Sequence, residues 1–242
     1  MVEHPLILFV VFPLAAYVIG STPFGVLIAR AKGKDLRAAG SGNVGATNVA
    51  RVVGRRWGYL CFVLDVGKGL APALAAVLLT RPADGPPGTL TQLAWLAVGV
   101  GVIGGHVFSV YLRFRGGKGV ATALGFVLGT YPYLTWPGLC AFGLWLVVVG
   151  LSRTVSLGSV TAAAAFPFLL AAFNRPLTRY LPLAALAVSM AALIIVRHRS
   201  NLARLRAGTE HKIGQAKGAA ATARPSPPKG PPEAPAAPDR PT

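Results

Sequence analysis

The sequence predicts an all-α, polytopic transmembrane protein of about seven spans, N-terminus outside and C-terminus cytoplasmic. Of its 242 residues 53% are hydrophobic and only 13% are charged, about half the charged fraction of a soluble domain. The apolar residues form long runs rather than amphipathic stripes. The cations are bunched between those runs, and with Lys+Arg at 24 against Asp+Glu at 7 they leave a net charge of +17. No basic stripe with interleaved aromatics accompanies that charge, which argues against a nucleic-acid partner. It points instead to orientation in a membrane, lipid headgroups and anionic ligands.

The first expected span covers about residues 6–30. Glu3-His4 precede it without a basic n-region or a cleavage site after it, so the run reads as a span and not a removed signal peptide. Its late part, Gly20-Ser21-Thr22-Pro23-Phe24-Gly25, is small and polar, which favours close packing or an unwound end. Further spans are expected at about 57–80, 90–112, 120–133, 136–151, 155–173 and 181–196. Asp65 and Lys68 lie inside the second, three residues apart and so on one face. An ionisable pair at membrane depth faces the protein interior, either as a lock between helices or as support for a site. His106, near the end of the third span, suits a hydrogen-bonded packing role better than catalysis. Cys61 and Cys140 lie within apolar runs and read as small buried hydrophobes without metal-ligand spacing.

Counting Lys and Arg by connection sets the orientation. Arg30, Lys32, Lys34, Arg37, Arg51, Arg55 and Arg56 follow the first span; Arg113, Arg115 and Lys118 follow the third; Arg153 follows the fifth, and the C-terminal segment is basic throughout. The other side holds only Arg81, Arg175 and Arg179. The excess belongs in the cytoplasm.

Polar, glycine-rich islands all fall on that basic side. The first is Gly40-Ser41-Gly42-Asn43-Val44-Gly45-Ala46-Thr47-Asn48-Val49-Ala50-Arg51. Its glycines admit a ligand close to the backbone, its short side chains offer hydrogen bonds, and Arg51 adds a planar cationic fork. No carboxylate lies within it, so an anion suits it, phosphate above all. The second is Arg113-Phe114-Arg115-Gly116-Gly117-Lys118-Gly119-Val120-Ala121-Thr122, a basic turn leading into a helix, where free amides and the positive dipole end favour an anion. The P-loop spacing fails, because Gly119 follows Lys118. The third begins at His198 and runs through Asn201 and Arg204 to Glu210; helical spacing puts His198, Asn201 and Arg204 on one side. Clustered carboxylates are absent, so no metal or other cofactor is implied.

These motifs carry a resemblance. Gly40-Ser41-Gly42-Asn43-x-Gly45-Ala46-Thr47-Asn48-x-x-Arg51, then Gly105-His106-x-Phe108 with Gly116-Gly117-Lys118-Gly119, then His198-Arg199-x-Asn201-x-x-Arg204-Leu205-x-x-Gly208-x-Glu210 resemble, in order, the motifs of the bacterial membrane acyl-phosphate:glycerol-3-phosphate acyltransferases. Asp65-x-x-Lys68-Gly69 also resembles the family, and Ser109 departs from it where a proline is expected. The resemblance implies transfer of a fatty acyl group from acyl phosphate to the 1-hydroxyl of glycerol 3-phosphate, giving lysophosphatidic acid and phosphate. It places the active site on the cytoplasmic face of the bacterial plasma (inner) membrane, with membrane lipids around it and no obligate protein partner. On this basis Ser41 and Arg51, with Lys118, are expected to hold the glycerol 3-phosphate. The Gly116, Gly117, Gly119 turn, with Asn43 and Thr47, is expected to cradle the acyl phosphate. His198 and Asn201 are expected to orient the attacking hydroxyl, with His198 either a general base or an orienting partner while a substrate phosphate takes the proton. Asp65, Lys68, His106 and Glu210 are expected to support the site. An acyl phosphate is already activated and needs no covalent nucleophile; no Ser-His-Asp set, Cys-His pair or His-x-x-x-x-Asp motif is present. The competing reading is a transporter of an organic phosphate, which should show inverted repeats and midplane polar groups.

The domain division is a membrane-integral unit, 1–213, followed by a Pro/Ala-rich tail, 214–242, whose composition cannot bury a core. Deleting Pro225 to Thr242 is therefore expected to leave activity and thermal stability within about twofold and 1 °C of the full chain. Assay and detergent melting of the truncated protein check this.

Overall fold

The computed structural model describes residues 4–80, 82 and 84–214. The proposed tail, apart from Gly214, lies outside the described residues, as do Met1 and Arg81. Every regular element among the described residues is helical. In chain order these are α1 (Phe12–Ser21), α2 (Phe24–Ala31), α3 (Ala46–Val52), α4 (Arg55–Thr80), α5 (Thr89–Val107), α6 (Val120–Gly129), α7 (Thr135–Ser152), α8 (Val155–Phe173), α9 (Leu181–Arg197) and α10 (Arg199–Arg206).

Among the described residues six stretches are long and apolar enough to cross a membrane: Ile7–Ala31, Arg55–Thr80, Thr89–Leu112, Thr135–Ser152, Val155–Phe173 and Leu177–Arg197. The chain is a multi-pass membrane protein. The fourth expected span is the exception. Over 120–133 the helical part, α6, has only 10 residues, about 15 Å against a hydrocarbon core of about 30 Å. The chain nevertheless continues through turns to Tyr133, whose ring lies 5.8 Å from both Trp95 and Tyr180, at the end of the bundle opposite Lys118. The broken backbone is tolerated because α6 is enclosed by protein: Thr122, Ala123, Gly125, Phe126, Val127 and Gly129 are all buried. Hydroxyls close its last carbonyls, with Thr130 Oγ1 donating to Phe126 O at 2.9 Å and Thr135 Oγ1 to Leu128 O at 3.0 Å. A hydropathy run alone does not separate a lipid-facing span from a short helix packed in protein.

The first span is also interrupted. It bends at Thr22-Pro23 between α1 and α2, and the freed carbonyls find partners. Lys68 Nζ donates to Thr22 O at 2.8 Å, and Ser109 Oγ donates to Ser21 O at 2.6 Å. Ser109, the departure from the expected proline, thus binds α1 directly.

Close packing between spans is carried by small residues. A β-carbon on Gly105 would run into the Tyr17 carbonyl of α1, one on Gly69 into the Thr122 carbonyl of α6, and one on Gly125 into the Val66 carbonyl of α4. In lipid such backbone approach replaces the hydrophobic drive that helices enjoy in water. A main core of Trp95, Val98, Val102, Phe126, Leu170 and Leu183 with their neighbours joins α4, α5, α6, α8 and α9. Many large apolar side chains face outward instead, among them Leu14, Val63, Leu78, Val147 and Phe168. Cys61 is buried as expected, but Cys140 is exposed, correcting that reading: a helix in lipid needs no protein cover over its apolar residues.

A second, smaller core of Ala29, Leu36, Val49 and Cys61, with Trp57 against it, seats the first polar loop on α2 and α4. The loops containing residues 32–54, 113–119, 153–154 and 198–214 lie at one end of the bundle, so the polar islands converge.

The α4–α6 contact is tight enough to test. Gly125→Val is expected to separate the helices and cost at least about 2 kcal/mol, seen as a lower detergent melting temperature and poor folded yield. An unchanged melting temperature would contradict this packing.

Candidate active site

The first loop is built around Asn48, which is 1% exposed. Its Nδ2 donates to Leu36 O (3.1 Å), Ala39 O (3.1 Å) and Asn43 O (2.9 Å), and its Oδ1 accepts from the Ser41 amide at 2.9 Å. One amide side chain thereby ties the whole loop to α3. Gly40, with φ of 63°, leaves no room for a β-carbon beside Asn48 Oδ1. Asn43 Oδ1 accepts from the Gly45 amide at 2.9 Å, shaping the entry to α3 rather than reaching outward. Ser41 and Thr47 are exposed. Thr47 and Arg51 lie one turn apart on α3, hence on one face.

The second turn is fastened from behind. Gly116 and Gly117 donate their amides to Val107 O (3.0 Å) and His106 O (3.1 Å). Their carbonyls accept from Arg197 Nη2 at 3.3 and 3.1 Å. A β-carbon on Gly117 would collide with His106 Nε2 and one on Gly116 with the His106 carbonyl. These two amides, expected to cradle a phosphate, are committed to the fold. The start of α6 at Gly119 carries no side-chain cap, so the first-turn amides there lack a capping side chain. Beneath lies the buried support group: Lys68 Nζ is 2.8 Å from Asp65 Oδ1, His106 Nδ1 is 3.7 Å from the same oxygen, and Thr122 Oγ1 is 3.0 Å from His106 Nδ1. His106 thus lies directly behind Gly117, with Asp65 and Lys68 beyond it.

The third motif gathers the rest. Glu210 Oε1 accepts from Asn201 Nδ2 (2.6 Å) and Ser156 Oγ (2.9 Å), while Oε2 accepts from Arg204 Nε at 2.7 Å. Lys118 Nζ donates to Asn201 Oδ1, which ties the second motif to the third. Burial raises the Glu210 carboxyl, but its hydrogen bonds from Asn201, Ser156 and Arg204 prevail and hold it below the usual range. Arg51 senses the same carboxylate: burial lowers its pKa, Glu210 opposes that and Arg204 adds to it. Lys118 is lowered to about 8, first by burial and then by Arg204, Arg197 and Arg51, with Glu210 opposing. Cations therefore outnumber the one carboxylate at their centre.

His198, 3% exposed, points its Nδ1 at Ile194 O, 2.7 Å away. A carbonyl only accepts, so Nδ1 carries the proton and Nε2 keeps its lone pair. Burial and then Lys118 lower His198 to about 4, so the ring is neutral at physiological pH.

The structure therefore brings together Lys118, His198, Asn201, Glu210 and Arg51. Ser41 and Thr47 belong to the same face through α3. The sequence reading missed Ser156, the partner of Glu210, and Arg197, which grips the second turn; it also missed Arg37, whose Nη2 donates to Arg115 O at 2.9 Å and links the first loop to the second. The only signals were position: Ser156 opens α8 just after a basic-face turn, and Arg197 adjoins His198.

Comparisons with known proteins identify the family. A family model described as Glycerol-3-phosphate acyltransferase matches residues 10–208. A glycerol-3-phosphate acyltransferase of Geotalea daltonii is 44% identical over 202 residues, covering 84% of this chain and 96% of that protein. One of Geobacter sulfurreducens is 46% identical over 200 residues, covering 82% and 94%. The crystal structure of PlsY (YgiH), an integral membrane glycerol 3-phosphate acyltransferase in its glycerol 3-phosphate form, superimposes with a TM-score of 0.74 at 41% identity over 84% of this chain and 94% of that one. Its lysophosphatidic acid form gives 0.72 at 40% over the same shares. Residues 10–208 take in the first two motifs and the third as far as Gly208, with Glu210 just beyond, and the chain belongs to the glycerol-3-phosphate acyltransferase family.

Proposed function

We propose that this protein transfers a fatty acyl group from acyl phosphate to the 1-hydroxyl of glycerol 3-phosphate, at the cytoplasmic face of a bacterial plasma membrane. The observation that carries the reading is the convergence of Arg51, Lys118 and Arg204 on one carboxylate, Glu210, beside a neutral imidazole, His198. That surplus of positive charge suits two substrate phosphates. The glycerol 3-phosphate form of the related structure supports the acceptor, and the family match supports acylation. The bunching of cations at this end supports the cytoplasmic placement.

The mechanism follows from the donors present. Among the described residues no hydrogen bond to protein occupies the Arg51 guanidinium, so its fork is free for the acceptor's phosphate, with Ser41 alongside. Lys118 and the uncapped amides at the start of α6 hold the acyl-phosphate group. His198 Nε2 accepts a hydrogen bond from the 1-hydroxyl and aims its oxygen at the acyl carbon. Attack forms the ester C–O bond, the C–O bond to phosphate breaks, and inorganic phosphate leaves with the electron pair. A phosphate whose second pKa is about 6 is a stronger base than His198 at about 4. The hydroxyl proton therefore goes to a phosphate oxygen, and His198 orients. Asn201, fixed between Lys118 and Glu210, keeps Lys118 aimed.

The decisive assay is purified protein with acyl phosphate and labelled glycerol 3-phosphate. Labelled lysophosphatidic acid is expected, with acyl-CoA inert and no acylated protein trapped on acid quench. Turnover of acyl-CoA with acyl phosphate inert would overturn the reading, and uptake of organic phosphate into sealed vesicles without acyl transfer would favour a transporter. In the same assay Arg51→Lys, which keeps charge but loses the fork, is expected to cut kcat/KM for glycerol 3-phosphate by about 10²-fold or more. Normal kinetics would remove Arg51 from the site.

Lys118 sets the alkaline limit. It holds phosphate only when protonated, and its free-enzyme value is about 8. kcat/KM is therefore expected to fall as pH rises through about 8. Lys118→Arg stays charged and should shift that fall upward, at a lower maximum. A wild-type profile flat to pH 9 would contradict the assignment.

A further inference from the structure

We infer that Lys32, Arg56 and Trp57, where the first two spans leave the membrane, bind the phosphate of an anionic phospholipid of the surrounding bilayer. The inference does not depend on the acyl-transfer reading. The first spanning stretch ends at Ala31 and the second begins at Arg55, at the same end of the bundle. Lys32 caps α2, and Arg56 and Trp57 lie in the first turn of α4. These residues therefore stand where hydrocarbon gives way to headgroups.

Two cations meet on one ring there. Lys32 Nζ lies 4.3 Å from the Trp57 ring centroid, and the Arg56 guanidinium carbon lies 5.3 Å from the same ring. The indole quadrupole attracts both and neutralises neither. Among the described residues no carboxylate oxygen comes within 4.0 Å of either cation. Asp35, the carboxylate nearest to Lys32 along the chain, accepts from the Arg37 amide instead. The Trp57 indole N–H donates to no described residue. Three donor groups are thus gathered with no acceptor among them, and the missing complement is an anion.

The surroundings favour a lipid over a free anion. Arg56, Leu60 and Val63 share one face of α4, and Leu60 and Val63 are 40% and 63% exposed. That face presents a guanidinium at headgroup level and bare hydrocarbon beneath it. A phospholipid matches both parts; inorganic phosphate or an acidic protein matches only the first. The place also bears on the site. Lys32 opens the first polar loop, and Trp57 packs against the small core that seats it. A lipid bound here pins the base of the loop that carries Arg51.

Native mass spectrometry of the detergent-purified protein, titrated with phosphatidylglycerol or phosphatidylcholine, reads the binding directly. Wild type is expected to bind phosphatidylglycerol at least about tenfold tighter than phosphatidylcholine. Lys32→Gln combined with Arg56→Gln is expected to abolish that preference. Arg113→Gln combined with Arg206→Gln removes equal charge at the same end and is expected to keep it within about twofold. No preference in wild type, or an unchanged preference in the first pair, overturns the inference. An equal loss in both pairs overturns it too, since it would mean diffuse surface charge. Displacement of phosphatidylglycerol by millimolar inorganic phosphate would overturn the choice of a lipid. Hydrogen exchange of wild type in nanodiscs needs no variant and decides the matter where one fails to fold. Slower exchange at residues 31–37 and 53–58 in phosphatidylglycerol than in phosphatidylcholine supports the site. Slowing confined to other segments, or none, overturns it.

Discussion

The site depends on one carboxylate held among too many cations. Glu210 is ionised because Asn201, Ser156 and Arg204 all donate to it. Through Asn201 it fixes Lys118, and its charge reaches Arg51. Without that anion, Arg51, Lys118 and Arg204 would repel one another in a partly buried place. With two anions there, phosphate would have little left to neutralise. A single carboxylate holds the cations in place and leaves them unsaturated. It also joins segments far apart in the chain, since Ser156 opens α8 while Glu210 follows α10.

The membrane imposes the second constraint, that backbone polar groups inside it find partners within the protein. The fold breaks helices in two places and closes both breaks with side chains. Lys68 and Ser109 bind the carbonyls freed before Pro23, and Thr130 and Thr135 close the end of α6. The first break also serves the site. Lys68 links Thr22 to Asp65, Asp65 lies near His106, and His106 underlies Gly117. The buried ion pair is a chain of supports that runs from α1 to the second turn.

The helical class, the multi-pass character and the clustering of polar loops were legible because they depend on composition and charge summed over many residues. The motif segments were legible because glycines, short polar residues and cations stand out against apolar runs, and the structure joins these segments at one end of the bundle. Two things were not. Whether an apolar run faces lipid or protein depends on its neighbours, so the short, enclosed α6 reads like the longer spans and Cys140 as buried. What a glycine or asparagine does within a motif depends on what lies behind it. Gly116 and Gly117 read as amide donors to a ligand, yet His106 and Val107 take those amides. Asn43 and Asn48 look alike in the sequence, yet Asn48 organises the loop and Asn43 shapes a turn. Arg197 and Ser156 lie in runs whose local pattern gives no reason to single them out.

Chemistry of this kind needs little from a protein base. In the proposed reaction the donor is a mixed anhydride with a good leaving group, so the barrier lies in bringing two phosphate anions and one hydroxyl together. Holding the reactants in attack geometry is worth up to several kcal/mol, and dipoles and cations placed before the reaction add several more. His198, neutral and with its Nδ1 proton committed to Ile194 O, offers a fixed acceptor rather than a strong base. Raising its basicity would require a carboxylate on Nδ1, which would bring a second anion beside the phosphates and weaken their binding. The backbone carbonyl in that position fixes the tautomer without adding charge. The same economy explains why the site contains one carboxylate and why that one sits behind Asn201 rather than against the imidazole.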